Sequence, residues 1–242
     1  MALPAALLAR RAWRPALVGA AAMALFVGLA PWRTAAGATS LAAPSRLPAP
    51  AYDTPAGDVA VLSGGCFWGM QGVFEHVKGV RQVLAGYAGG KAATAHYELV
   101  STGTTGHAES IKISFDPAQI SYAEILRIYF SVATDPTQVG GQFPDEGTQY
   151  RGEIFYLNGA QKQVADRYIA QLAAAKAFRR PITTRVDAFA GFYPAEGYHQ
   201  DYLVHHPTSP YIATYDAPKV DALKRFFPGE WRPAPVLALA SR

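Results

Sequence analysis

A strand–helix–strand order occurs twice in succession in the middle of the chain, and this order limits the fold more than any other feature. Residues 59–62 form an apolar run, apolar side chains recur at helical spacing from residue 67, and a second apolar run covers 80–87. The second occurrence has a strand at 108–115, a helix after a Ser-x-x-Glu capping pattern, and a strand at 153–157. We therefore predict an α+β protein with a ferredoxin-like split βαβ core, a mixed sheet with helices packed on one face.

Additional C-terminal helices and loops follow this core. The pattern predicts a long helix at 159–177, a strand near 184–189, a helix around 195–204 and a last helix at 217–226. We place one domain at residues 58–228 and a C-terminal tail at 229–242.

The first 38 residues have the layout of a secretory signal peptide. Arg10, Arg11 and Arg14 precede an apolar run at 16–30, and Ala36-Gly37-Ala38 follows it. The run is shorter than a membrane span normally requires. We expect residues 1–38 to be a signal peptide and the protein to be exported to the periplasm. If the leader is not cleaved, residues 15–31 become an N-terminal anchor in the inner membrane.

The remaining chain carries no excess of positive charge. The leader holds four of the 22 Lys and Arg and none of the 18 Asp and Glu, which leaves 18 side chains of each sign. Nucleic-acid binding depends largely on a basic surface, so we expect no nucleic-acid partner. Residues 39–57 are rich in Ala and Pro without periodicity, which predicts a linker.

The chain has a single cysteine, Cys66, so no internal disulfide can form. Cys66 follows two glycines at the start of the first predicted helix, where the backbone N–H groups and the helix dipole favour the thiolate. Gly64, Gly65 and Gly69 leave space around the sulfur. The pattern predicts a nucleophile; the commoner fate of a lone cysteine is that of a small buried hydrophobe.

The segment Gly65-Cys66-Phe67-Trp68-Gly69 resembles the nucleophile motif of the peptide methionine sulfoxide reductase A family. Further blocks between residues 60 and 207 follow in that family's order: Gly86-Tyr-Ala-Gly-Gly90, Tyr97-Glu98-Leu-Val100, Thr105-Gly106-His107-Ala108-Glu109, Asp135-Pro136-Thr137, Asp145-Glu-Gly147-Thr-Gln149-Tyr150-Arg151 and Ala195-Glu196-Gly-Tyr198-His199-Gln200.

The resemblance implies an enzyme that reduces the S epimer of methionine sulfoxide, protein-bound or free, with no metal and no bound organic cofactor. Cys66 would be the nucleophile, Glu109 the acid, and Tyr97 and Tyr150 hydroxyl donors to the sulfoxide oxygen, while Asp145 shapes the oxygen and regeneration site. The expected catalytic residues are Cys66, Glu109, Tyr97, Tyr150 and Asp145, and the expected substrate-binding residues are Phe67, Trp68, Gly65 and His199.

The acid role requires that Glu109 be protonated near neutral pH. The residue lies in a strand of alternating polarity, where a carboxylate faces solvent by default. An acid that is protonated near neutral pH needs a raised pKa and therefore a dry pocket, which aromatic residues such as Trp68 can supply.

The sequence departs from the family's pattern in two regions. Residues 226–242 contain no resolving cysteine, so the Cys66 sulfenic acid must be recycled by an external thiol, either a thioredoxin-like or glutaredoxin-like protein or a small thiol. Thr134 stands where the family often has His, and residues 139–144 replace a more usual Asn-Arg-Gln-Gly run. We expect a monomer whose substrates are oxidised proteins and free methionine sulfoxide.

Two other functions fit parts of the sequence. A cysteine hydrolase would use Cys66 with His107 or His199 as the base, but it gives Phe67, Trp68 and Glu109 no role. A non-enzymatic envelope protein would bind peptides through its aromatic side chains.

Three histidines near one predicted helix could suggest a metal site, and we expect no metal there: His199, His205 and His206.

Overall fold

The structure, a computed structural model, describes residues 45–238. The predicted signal peptide at residues 1–38 and the first part of the predicted linker lie outside the described residues. Between residues 45 and 238, no helix combines the length and the apolar character that a membrane span requires.

Eight strands and six α-helices make up the domain over the described residues. In chain order they are β1 (Val59–Ser63), α1 (Phe67–Glu75), β2 (Val80–Ala88), α2 (Tyr97–Val100), β3 (Ala108–Phe115), α3 (Tyr122–Ile128), β4 (Gly141–Gln142), β5 (Asp145–Glu146), β6 (Glu153–Tyr156), α4 (Gly159–Ala174), β7 (Arg185–Ala188), β8 (Phe192–Pro194), α5 (Tyr202–His205) and α6 (Ala217–Phe226).

The main sheet has six strands in the order β7-β6-β1-β3-β2-β8. Its four central strands, β6, β1, β3 and β2, pair with one another antiparallel, and α1 and α3 connect them in the split βαβ order. Strand β7 adds in parallel to β6, and β8 adds antiparallel to β2, so the sheet is mixed. The predicted α+β, ferredoxin-like fold is confirmed.

The main core lies between the sheet and the helices. Along β1, Ala60 and Leu62 belong to this core together with side chains of α1, α3 and α4. Val61 points to the other face, where it joins a small cluster that includes Phe155. Helix α3 begins as predicted, because the Ser121 hydroxyl accepts a hydrogen bond from the Glu124 backbone N–H.

The helix predicted around residues 195–204 is interrupted. A single turn at Gly197–His199 ends at Gln200, which is extended, and Asp201 has a left-handed φ of 54° before α5 begins. The Gln200 side chain accepts a hydrogen bond from the Ala85 N–H at 2.9 Å and donates one to the Ala85 carbonyl at 2.9 Å. These buried bonds to β2 replace the helical ones, so the prediction of one continuous helix is wrong.

The predicted linker forms no helix or strand over residues 45–57, yet it packs against the domain. Leu47 is buried, its N–H donates to the Ser131 hydroxyl, and its carbonyl accepts from Arg127. The Tyr168 hydroxyl donates to the Pro48 carbonyl at 2.9 Å. The described part of this segment is therefore a strap over α3 and α4 rather than a free spacer.

The C-terminal tail also packs against the domain. The Val236 N–H donates to the Glu75 carbonyl at the end of α1, and the Ala238 N–H donates to a carboxylate oxygen of Asp201 at 2.7 Å. Burial and a hydrogen bond with Asp201 together raise the pKa of Glu75 to about 9, so the Glu75 carboxyl is protonated at neutral pH.

We expect Gln200→Leu to lower the free energy of unfolding by about 3 kcal/mol. The substitution leaves buried polar groups on β2 without hydrogen-bond partners, and each such group costs about 1–3 kcal/mol. Urea denaturation followed by circular dichroism measures this change. The matched control is Gln163→Leu, whose side chain is exposed on α4 and which we expect to shift stability by less than about 0.5 kcal/mol. Equal stability of the two variants would contradict the structural role of Gln200.

Candidate active site

Cys66 lies at the N-terminus of α1, immediately after the glycine turn that leaves β1. It is the residue that precedes the first helical position, and it is 8% exposed. Gly65 has a φ of 101°, and a Cβ at this position would lie 2.9 Å from the Gln142 Cβ. Only glycine satisfies both the left-handed backbone and the close approach of β4.

The thiol is the resting form of Cys66. Burial raises its pKa most, any negative charge on Glu109 or Asp216 raises it further, and the Trp68 N–H in the first helical turn lowers it. The net effect is a pKa well above the ordinary value. The expectation that the helix N-terminus makes Cys66 a thiolate is therefore wrong, because desolvation and neighbouring carboxylates outweigh the helix.

Glu109 lies at the start of β3, opposite Tyr87 of β2, and its side chain is buried beside the N-terminus of α1. One carboxylate oxygen accepts a hydrogen bond from the Phe67 N–H at 3.0 Å. Burial raises the pKa of Glu109 to about 8, although the Phe67 N–H lowers it. The default of a solvent-facing carboxylate is wrong here. The carboxyl carries its proton at neutral pH, as the acid role requires.

His199 is the centre of an aromatic cluster beside Cys66. Its Nδ1 accepts a hydrogen bond from the Trp68 indole N–H at 3.2 Å, and its ring lies 5.0 Å from Phe67 and 4.5 Å from Tyr97. Burial lowers the pKa of His199, so the ring is neutral and Nε2 carries the hydrogen. Trp68 also stacks on Tyr202 at 3.8 Å. Contacts on both sides thus fix the orientation of the indole.

Tyr97 and Tyr150 lie close enough to Glu109 for its charge to affect both. Burial raises the pKa of each hydroxyl, and any negative charge on Glu109 raises it further, so both stay protonated. Glu196 fixes the start of α2 by accepting the Tyr97 N–H at 3.0 Å and the Tyr87 hydroxyl at 2.8 Å. Glu196 lies inside a recognised sequence block, but nothing local in the sequence indicates this bridging contact.

Asp145 lies in β5 and accepts a hydrogen bond from the Tyr211 hydroxyl. Its pKa is raised by burial, although the Tyr211 hydroxyl lowers it. A buried ion pair lies nearby, in which the Lys219 ammonium is 3.0 Å from an oxygen of Asp216. No local pattern in the sequence marks Tyr211, Asp216 or Lys219 as site residues, and all three lie more than 140 positions from Cys66.

Side-chain contacts fix the loop at residues 134–144, which departs from the family's pattern, beside Cys66. The Gln142 side chain accepts the Asp135 N–H at 3.0 Å and donates to the Asp135 carbonyl at 2.6 Å. Thr134 packs against Gly64, where an added Cβ would lie 2.7 Å from the Thr134 hydroxyl oxygen. The altered residues therefore form a fixed wall of the site.

Neither histidine offered as a hydrolase base pairs with Cys66 among the hydrogen bonds of the described residues. His107 accepts the Gly90 N–H through Nδ1, which leaves its Nε2–H to bond the Lys91 carbonyl at 3.0 Å. Both nitrogens are thus used to hold a loop, and Nδ1 of His199 is used by Trp68. Within residues 45–238, no group of three or more His, Cys, Asp and Glu is placed to hold a metal ion.

Residues 58–230 match the family model described as "Peptide methionine sulfoxide reductase". The chain is 52% identical over 187 residues to peptide methionine sulfoxide reductase MsrA 2 of Mesorhizobium japonicum, covering 77% of this chain and 96% of the relative. It is 43% identical over 176 residues to MsrA of Thermus thermophilus, covering 73% and 98%.

Solved structures of the same kind share the fold. The reduced form of Mxr1 from Saccharomyces cerevisiae superposes with a TM-score of 0.56 and 30% identity, over 65% of this chain and 91% of that one. Methionine sulfoxide reductase A of Corynebacterium diphtheriae superposes with a TM-score of 0.54 and 31% identity, over 64% and 78%. The chain belongs to the peptide methionine sulfoxide reductase A family, enzymes that reduce methionine sulfoxide with thiols.

Proposed function

We propose that Cys66 attacks the sulfur of an S-epimer methionine sulfoxide while Glu109 protonates the sulfoxide oxygen. The observation that best supports this assignment is the buried Glu109 carboxyl, bonded to the first N–H of the helix that Cys66 begins. A thiolate displaces electron density onto the sulfoxide oxygen, which leaves only if it gains a proton or strong hydrogen bonds. Tyr97 and Tyr150 supply those hydrogen bonds.

The reaction balances within the site. Attack joins the Cys66 sulfur to the substrate sulfur, and the protonated oxygen leaves as water. A water molecule then attacks the Cys66 sulfur and breaks the S–S bond, which releases methionine, reduced by two electrons, and leaves Cys66 oxidised by two electrons to a sulfenic acid. Phe67 and Trp68 form the apolar wall for the substrate's S-methyl group, and Gly65 lets Gln142 approach closely beside Cys66. His199 holds the Trp68 indole in place through its ring nitrogen. Asp145 shapes the oxygen-binding side of the site with the Tyr211 hydroxyl.

We expect Cys66→Ser to abolish reduction of methionine sulfoxide, because a serine hydroxyl is a far weaker nucleophile at neutral pH and the chain has no second thiol. Release of methionine measured by chromatography tests this. Alkylation of wild-type Cys66 should have the same effect, which a pure peptide-binding protein would tolerate. Activity of the serine variant within tenfold of the wild type would refute the assignment.

We expect Glu109→Gln to slow the chemical step by about 10² to 10⁴-fold with little change in substrate binding, because an amide supplies no proton. Above pH about 8, the wild-type rate should fall, since Glu109 loses its proton there. The variant should lack that fall and keep only the rise that accompanies thiolate formation at Cys66. Single-turnover rates from pH 6 to 10 measure both effects, and matching profiles would transfer the acid role to another group.

The oxidised enzyme depends on a reductant from outside the chain, because Cys66 is its only cysteine. A thioredoxin-like protein, a glutaredoxin-like protein or a small thiol can supply the two electrons. Oxidised proteins and free methionine sulfoxide are the substrates. The absence of a second thiol leaves the sulfenic acid open to overoxidation under peroxide.

Without reductant, excess methionine sulfoxide should release at most one methionine per chain and add one oxygen to the protein mass. Intact-mass spectrometry after a single turnover tests this, and addition of a small thiol should restore turnover. Several methionines per chain, or a monomer mass lower by two hydrogens, would contradict the single-cysteine cycle.

We propose that, in the cell, residues 1–38 direct export to the periplasm and that the mature enzyme is a monomer. The leader's arginines, apolar run and small residues support export. N-terminal sequencing of protein from fractionated cells tests cleavage, and light scattering tests the oligomeric state. A full-length chain in the membrane fraction would instead indicate an anchor.

A further inference from the structure

A cavity of about 40 Å³ reaches Cys66 beside the residues assigned to the sulfoxide chemistry. Its lining includes Cys66, Gln142, Phe143 and Lys219, and it shares Gly65 and Asp145 with the sulfoxide site. The lining excludes the other residues of that site, namely Phe67, Trp68, Tyr97, Glu109 and Tyr150. The cavity exceeds the roughly 10–15 Å³ that one water needs, so it admits a slender group such as the CH₂–SH end of a thiol.

Lys219 is held in this cavity by a buried partner. It lies in the first turn of α6, its side chain is 14% exposed, and its ammonium is 3.0 Å from Oδ1 of Asp216. Asp216 is fully buried, and its other carboxylate oxygen has no hydrogen-bond partner among the described residues. The pair lies against α1, where a Cβ on Gly69 would lie 2.0 Å from the bonded Asp216 oxygen and 3.0 Å from the ammonium. Glycine at position 69 thus makes room for the pair.

The charges around Cys66 explain why a cation is needed there. Burial raises the pKa of the Cys66 thiol most, and the carboxylates of Asp216 and Asp145 raise it further, so the site disfavours negative charge on sulfur. A sulfenic acid is reduced by a thiolate, which such a site repels. Burial lowers the pKa of Lys219, but Asp216 outweighs burial and holds the pKa above its ordinary value. Lys219 therefore keeps its charge in the cavity.

We propose that this cavity, which we call the regeneration pocket, receives the reductant's thiolate and that Lys219 holds that thiolate beside the Cys66 sulfenic acid. The proposal rests on the function proposed above for Cys66. The thiolate attacks the Cys66 sulfur, the S–O bond breaks, and the oxygen leaves as water after taking up a proton. A second thiol then breaks the mixed disulfide, which returns Cys66 as a thiol and releases the reductant as a disulfide, so two thiols supply the two electrons.

The test separates the two half-reactions in variants that change the charge at Lys219. The double variant Asp216→Asn with Lys219→Met removes both charges and so leaves no lone buried ion. Lys219→Gln, which keeps a donor to Asp216, is the second variant. The matched control, Lys162→Met, removes a lysine from an exposed i,i+4 ion pair on α4. Thermal unfolding establishes which variants are folded.

Methionine released without reductant reports the first half-reaction. Loss of the sulfenic acid, followed by mass spectrometry after adding 2-mercaptoethanol or, separately, a thioredoxin, reports the second. We expect the folded Lys219 variants to lose at least about tenfold in the rate of the second half-reaction and markedly less in the first. The control should match the wild type in both.

The two reductants distinguish the source of the thiolate. A loss with both means that the pocket takes the CH₂–S⁻ group from either source, and a loss with one identifies that source. A regeneration rate within twofold of the wild type with both reductants would overturn the proposal, as would an equal loss in both half-reactions, which would mean that Lys219 acts on Cys66 itself. Failure of the wild type to release methionine would refute the function of Cys66 instead.

Discussion

The hydrogen bond between the Phe67 N–H and the Glu109 carboxyl is the contact on which the active site depends. It joins the first residue of α1 to the start of β3 and places the acid beside the nucleophile. The contact is available because the split βαβ order brings β1 and β3 together, with Ser63 opposite Ser110. Burial at this junction keeps the proton on Glu109 and the hydrogen on the Cys66 sulfur. Substrate therefore meets a site in which both groups are still neutral.

Close packing around the N-terminus of α1 explains the glycines that flank Cys66. Gly64 accommodates Thr134, Gly65 accommodates Gln142, and Gly69 accommodates the Asp216–Lys219 pair. A side chain at any of these positions would displace a wall of the site. The glycines thus serve less to leave empty space above the sulfur, as the sequence suggested, than to let two distant segments approach one helical turn.

The fold could be predicted from the sequence because local patterns carry it. Strand order, the Ser121 cap and the span of α6 all follow from periodicity and capping within a few residues. Patterns that extend over only a few residues cannot predict structure that depends on contacts with residues distant in the sequence. The helix around 195–204 is broken because Gln200 bonds a strand more than 100 positions away, and Glu109 is buried because α1 covers it.

In the candidate site, too, the residues that are adjacent in sequence could be predicted and those brought together by the fold could not. Cys66 and its aromatic neighbours are adjacent in sequence and were found together. The Lys219–Asp216 pair has an ordinary i,i+3 spacing that is typical of a solvated helix face. Only the tertiary structure places this pair against Gly69. The pKa of Cys66 could not be inferred for the same reason, since the carboxylates that raise it come from separate segments.

The strap and the tail show that sequence similarity and the folded unit have different limits. The family match ends at residues 58 and 230, but Leu47 belongs to the main core and Ser45 lines the cavity beside Cys66. At the other end, Ala238 bonds Asp201, the partner of the buried Glu75. A fragment cut at the limits of similarity would expose apolar surface along α3 and remove the Ala238 hydrogen bond to Asp201 behind α1. The smallest fragment of this enzyme that folds stably is therefore longer than the segment at residues 58–230 that matches the family.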